Sequence, residues 1–192
     1  IWINYNYGIG LGHRRLSILD LSKNGKQPFK SSSGRYILLF NGEIYNYQKI
    51  KNEINLEKNY SWKTNSDTEV IVEAFETWGI KNTVPKLSGM FSIAVWDQKN
   101  KELSLIRDKF GIKPLYYGSL KKNFVFGSEL KSLKAFGLKL KINNKSLNDF
   151  LHLSYIPSPN TIYENIYKLK PGTILKLDKN LNFLESEYWS MR

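Results

Sequence analysis

Cysteine is absent from the 192 residues. Disulfides and thiolate metal sites are therefore excluded within the segment, and any cysteine nucleophile that acts with it must lie outside these residues. A long apolar run is missing too. The longest, Met90 to Trp96, is interrupted by Ser92 and falls far short of the ~18 residues that span a bilayer; it reads as a buried strand. The start, Ile1-Trp2-Ile3-Asn4, has neither an initiator Met nor the basic head and apolar body of a signal peptide. Residue 1 is thus expected to be an internal position of a longer protein, with the cytoplasm as the default compartment. Arginine is sparse: only Arg14, Arg15, Arg35, Arg107 and Arg192 stand among 29 basic residues.

What is present suits a globular domain. Hydrophobic residues make up 41% of the chain, enough for an ordinary core in one large domain or a domain plus a linker. The net charge of +12 raises the question of a nucleic-acid partner. The basic residues are mostly lysine and are spread along the chain, whereas specific nucleic-acid sites favour arginine forks beside aromatic platforms. A solvated lysine-rich surface is the preferred reading, with a basic nucleic-acid-binding module kept as a lesser alternative.

Trp2 to Tyr7 alternates apolar and polar residues as a half-buried strand does. Gly8-Ile9-Gly10-Leu11-Gly12 lacks the spacing of a dinucleotide fingerprint, but glycines in a strand admit close approach of a backbone or ligand. His13 to Asp20 continues the strand, which would carry Arg15 on a rigid element. An arginine fork held that way can fix a carboxylate or make an ordinary surface ion pair. Ser22 to Gly34 reads as loop. The apolar run Tyr36–Phe40 then leads into Asn41-Gly42, a turn signal, because both residues tolerate positive φ. Such a turn is either an ordinary hairpin or a place where an Asn amide and backbone N–H groups converge on a developing oxyanion. Glu43, one residue on, could meet a cation there.

Tyr47 to Leu56 fits an amphipathic helix. Ser66-Asp67-Thr68-Glu69 predicts a second helix start with a capping box, a buried face of Val70, Ile71, Ala74, Phe75 and Trp78, and Gly79 as its end. Asp67 there either complements the helix dipole or serves a site. Short strands follow at Leu87–Asp97, Leu103–Asp108, Pro114–Gly118 and Asn123–Gly127, with successive antiparallel pairing the simplest arrangement. A short helix capped by Ser128 and closed by Gly137, a strand at Leu138–Ile142, a helix at Ser146–Leu153, a Pro-containing loop, a Pro171-Gly172 turn and a strand at Thr173–Leu177 complete the pattern. The order of elements points to antiparallel sheets with helical layers. A domain over 1–180 is expected, followed over 181–192 by the start of a linker.

Five stretches line up together: Gly12 to Asp20, Asn41-Gly42-Glu43-Ile44-Tyr45-Asn46, Ser66 to Ile71, Arg107 to Tyr117, and Gly127-Ser128-Glu129-Leu130-Lys131. In this order they resemble the glutaminase domain of glutamine-hydrolysing asparagine synthetases, class II glutamine amidotransferases. Tyr155 to Tyr163, Leu169-Lys170-Pro171-Gly172 and Tyr188-Trp189 favour that branch. The resemblance implies an α+β fold: a four-layer α/β/β/α sandwich of two antiparallel sheets, of N-terminal-nucleophile hydrolase type, truncated at its N-terminus. It implies that Arg15 holds the glutamine α-carboxylate beside the backbone of Leu16, Ser17, Ile18 and Leu19. Asn41 and Gly42 would form the oxyanion hole, and Glu43 and Asp67 would meet the α-ammonium group.

The family nucleophile is an N-terminal cysteine upstream of the Arg15 motif, with its own α-amino group, titrating near ~7.7–8.0, as base. Ammonia released from glutamine would pass to a synthetase domain that uses ATP and Mg to activate aspartate; that domain's pyrophosphate loop has no counterpart here. The resemblance thus implies no metal or cofactor in this segment, L-glutamine as substrate, the protein's own synthetase domain as partner, and neither nucleic acid nor membrane as partner. A homodimer is left open as an arrangement. A second alternative is an amidotransferase-like scaffold that has lost its nucleophile. The segment alone is expected to be catalytically silent and to fold poorly with sheet edges bare.

Overall fold

The computed structural model describes residues 1–14, 25–120, 123–137 and 139–191. Strands β1 (Trp2–Asn4) and β2 (Ile9–Leu11) form a hairpin across a 3-10 turn at Tyr5–Tyr7. The single strand expected over Trp2–Tyr7 is therefore cut short: Asn4 caps the turn by accepting from the Asn6 N–H, and Gly8 leaves it at φ 60°. The stretch expected to be loop before residue 34 contains a two-residue strand, β3 (Phe29–Lys30), paired with the next strand.

Strand β4 (Tyr36–Ile44) runs nine residues without a turn. It corrects the Asn41-Gly42 hairpin. Both residues stay in the ladder with β5 (Gly89–Asp97), Asn41 opposite Ser92 and Gly42 opposite Phe91. The turn signal is overridden because the partner strand continues past it and makes room. A Cβ at Gly42 would lie 2.0 Å from the Met90 carbonyl oxygen, and one at Gly89 2.1 Å from that of Glu43. Glycine is used here for close approach of two backbones.

Helix α1 (Tyr47–Glu57) and helix α2 (Asp67–Thr83) come between these strands. Gly79, expected to end the helix, breaks α2 with φ 77° and ψ 162°, but helix resumes beyond it as far as Thr83. Next, β6 (Glu102–Arg107) pairs with β5, but β7 (Tyr116–Leu120) does not pair with β6. Instead β7 pairs with β8 (Asn123–Gly127) and β9 (Ile166–Lys168) in a separate sheet. Successive pairing thus fails at the Asp108–Leu115 connection. Helices α3 (Leu130–Ala135) and α4 (Asn144–Leu153) lie between β8 and β9 in sequence. No strand forms at the described residues of 138–142; Ile142 makes one isolated bridge to Tyr163. After β10 (Thr173–Leu177), the stretch expected to begin a linker contains β11 (Phe183–Glu187), an edge strand paired to β10 along its whole length. The sheet therefore continues beyond residue 180.

The six-stranded sheet has the order β11-β10-β6-β5-β4-β3, the second sheet β8-β7-β9, and all pairs are antiparallel. Leu38, Phe40, Ile44, Phe91, Ile93 and Val95 pack against Ile50, Ile54, Ile71 and Phe75 of α1 and α2. Their neighbours Ile37, Leu39, Ala94, Trp96 and Leu105 face the second sheet through Leu115, Tyr117 and Leu169. Strands covered on both faces read as continuous apolar runs rather than alternations. On the far side of the second sheet, Val125 and Ile166 pack on Leu133 of α3. The layers are thus helix, sheet, sheet, helix, the expected four-layer sandwich.

Candidate functional site

The crevice between the sheets widens beyond Leu39 into a cavity of about 950 Å³. The period of two along β4 explains what faces it. Ile37 and Leu39 point toward the second sheet, so Asn41 and Glu43, two and four residues on, share that face. Asn41, Gly42, Glu43 and Asp67 all line the cavity, with Ser66, Ser92, Gln27, His13, Lys113 and Ser128 among their neighbours. Arg15, Leu16, Ser17, Ile18 and Leu19 lie outside the described residues; Gly12, His13 and Arg14, just before them, also line the cavity.

Asp67 reaches it from the N-terminus of α2. Ser66 caps that helix by accepting from the Thr68 N–H at 3.2 Å. The expected capping box does not close. The fully buried Glu69 turns instead to the preceding loop, accepting from Thr64 N–H at 2.7 Å, Thr64 Oγ1 at 2.8 Å, Lys63 N–H at 3.0 Å and Tyr60 OH at 2.8 Å. Glu69 therefore anchors the loop that leads into the helix, and Ser66 caps alone. The Asp67 carboxylate accepts from the Ile44 N–H at 3.0 Å, which fixes it to the strand that carries Asn41 and Glu43. Burial pushes its pKa above the ordinary carboxylate value and nearby Glu43 adds to the rise, while the Ile44 and Thr68 N–H groups oppose it. Two carboxylates so placed favour a cation between them.

Four residues that sequence reasoning gave no place in the site hold this geometry. Ser128 was expected to cap α3; Glu129 takes the cap position without a side-chain bond, and Ser128 Oγ accepts from Asn41 Nδ2 at 3.2 Å. Asn46 donates to the Lys86 carbonyl at 2.9 Å and accepts from Ser88 N–H at 2.9 Å, closing the end of β4. Arg107 donates to the carbonyls of Gly111, Lys113 and Leu169. Asp108 accepts from Phe110, Ile112 and Lys113 N–H groups and from Phe91, the partner of Gly42. The signal available was their place inside the shared motifs; nothing in the local pattern names their partners, which lie up to 87 residues away.

The profile of the family described as "Glutamine amidotransferase domain" matches residues 1–189, and the chain belongs to that family. Its relatives include asparagine synthetase [glutamine-hydrolyzing] 2 of Bacillus subtilis, 40% identical over 96% of this chain and 25% of that protein. A putative asparagine synthetase of Methanocaldococcus jannaschii is 36% identical over 97% of this chain and 39% of its own length. Amidase chry2 of Gibberella zeae is 34% identical over 99% of this chain and 27% of its length. The chain thus spans between a quarter and two fifths of these relatives. The resemblance to the glutaminase domain of asparagine synthetases holds. The fold is shared with glutamine phosphoribosylpyrophosphate amidotransferase of Bacillus subtilis, with a TM-score of 0.67 and 20% identity over 94% of this chain and 34% of that one.

Proposed function

We propose that these residues form the glutamine pocket of an asparagine synthetase, which releases ammonia from glutamine for ATP-dependent amidation of aspartate. The observation that carries this is the meeting of Asn41, Gly42, Glu43 and Asp67 in one cavity, in a chain of the amidotransferase family. Arg15 would hold the α-carboxylate, with the backbone of Leu16 to Leu19 beside it, and Glu43 and Asp67 the α-ammonium group. A cysteine outside these residues would attack the side-chain amide carbon of glutamine. The Asn41 amide and the Gly42 N–H would stabilise the tetrahedral oxyanion. Ammonia would leave, and water would hydrolyse the thioester to glutamate. The chain supplies binding and charge stabilisation and no nucleophile. On this reading it is silent alone, and ATP and Mg act in another domain. Aspartate as acceptor rests on the asparagine synthetases among the relatives.

The test uses the full-length parent protein. Asn41→Ala should lower glutamate release from glutamine by roughly 10²–10³-fold, the loss of one oxyanion donor. Free ammonia supplied in place of glutamine should restore asparagine formation. Unchanged glutaminase turnover would remove Asn41 from the role. An equal fall in ammonia-dependent synthesis would refute the pocket assignment.

A further inference from the structure

Asn41 and Ser128 belong to different sheets. Asn41 lies in β4 of the six-stranded sheet, and Ser128 directly follows β8 at the edge of the three-stranded one. Their 3.2 Å bond therefore crosses the crevice at the cavity wall. An Asn carboxamide has two Nδ2 hydrogens and a nearly free terminal torsion. Left to itself, it can turn its oxygen into the cavity, where a developing oxyanion would meet an acceptor instead of a donor. Ser128 Oγ accepts one Nδ2 hydrogen at the cavity wall, and the second hydrogen of that nitrogen remains for a ligand.

Ser128 is itself held firmly. Gly127 pairs with Tyr116 in the β7–β8 ladder. A Cβ at Gly127 would lie 2.4 Å from Ser132 Oγ, and that hydroxyl donates to the Glu129 carbonyl at 2.6 Å. The turn that carries Ser128 is thus held by the Tyr116 pairing on one side and by the Ser132–Glu129 bond on the other.

We propose that Ser128 is a positioning residue for glutamine hydrolysis, which orients the Asn41 carboxamide so that its nitrogen faces the reacting carbonyl oxygen. The inference rests on the glutaminase reading above. It differs from a merely structural bond between sheets in acting through Asn41 and in acting on the transition state. Misplacing a preorganised donor costs turnover more than substrate binding.

The experiment measures glutamate release by the full-length parent protein and by Ser128→Ala, Ser128→Thr, Asn41→Ala and the Asn41→Ala/Ser128→Ala double variant. Ser128→Ala should lower kcat by roughly 10–100-fold and leave KM within about twofold. Ser128→Thr keeps the hydroxyl and should recover most of the loss. In the Asn41→Ala background, Ser128→Ala should cost nothing further, because its only route to the reaction has gone. A Ser128→Ala enzyme with parental kcat overturns the proposal. So does an equal loss in both backgrounds, which would mark a general packing role. A parent that releases no glutamate from glutamine would refute the glutaminase reading itself, and the inference would fall with it.

Discussion

On the proposed glutamine-pocket reading, Asp67 sits at a conflict between folding and binding. Burial raises its pKa, so the folded protein holds the proton more tightly than the unfolded chain. Stability from this group is fully present below the ordinary carboxylate range. It is lost as pH rises from there through the raised value. Above that window the ionised carboxylate costs stability unless a cation joins it. Asp67→Asn keeps the shape and an acceptor for the Ile44 N–H. The variant should melt at a higher temperature than the parent at pH 7 without ligand, and the gap should close as pH falls below 4. The same variant should bind glutamine more weakly by calorimetry. A lower melting temperature at pH 7 would show that the carboxylate is better solvated than its position indicates. A buried charge that costs stability is common where a ligand is to be met.

At the scale of elements, β4 decides the site. Much of the architecture was readable from the chain: α1, the start of α2, its break at Gly79, and β5, β6, β8 and β10 all follow from periodicity and glycine placement. What could not be read was the continuation of β4 through Asn41-Gly42. The same dipeptide serves a hairpin or a close backbone contact, and the choice is made by Met90 and Phe91, about 50 residues away. The role of Asp108 was hidden for a related reason: its partners are backbone N–H groups, which every residue type except proline carries. For the same cause β7 leaves β6, since the Arg107–Asp108 pair rolls the chain into a compact loop instead of a tight hairpin. Of the site, the four described residues expected to meet do line one cavity, whereas Ser128, whose bond to Asn41 needs the two sheets stacked, was taken for a cap. Gly42→Ala tests the strand contact directly. The added methyl must displace the Met90 carbonyl, which should cost about 3 kcal/mol or more, read as a lower midpoint in urea denaturation. An unchanged midpoint would mean that the strands do not approach as described.

Over the whole molecule, the two sheets are joined at their ends as well as through the core. Tyr117 of β7 donates to Glu185 of β11 at 2.5 Å, inside an aromatic group with Phe124, Tyr167 and Phe183. Beyond β11, the Tyr188 N–H donates to the Gly172 carbonyl at 2.8 Å, and the Tyr188 hydroxyl to that of Arg107 at 2.8 Å. Burial keeps the Tyr188 phenol protonated well beyond its ordinary range, so it remains a donor. Tyr188→Phe leaves the Arg107 carbonyl one donor short and should cost about 1 kcal/mol. Hydrogen exchange should be faster at Gly172 and along the 108–113 loop, with α1 unaffected. Uniform acceleration would indicate that Tyr188 supports the fold globally instead.

Asp108 has a mechanical consequence. Its carboxylate grips Phe91, its carbonyl accepts from Gly172, and the preceding carbonyl is tethered to Tyr188. A displacement at Trp189 thus has a hydrogen-bonded route to the backbone opposite Gly42, with Asp108 as its fulcrum.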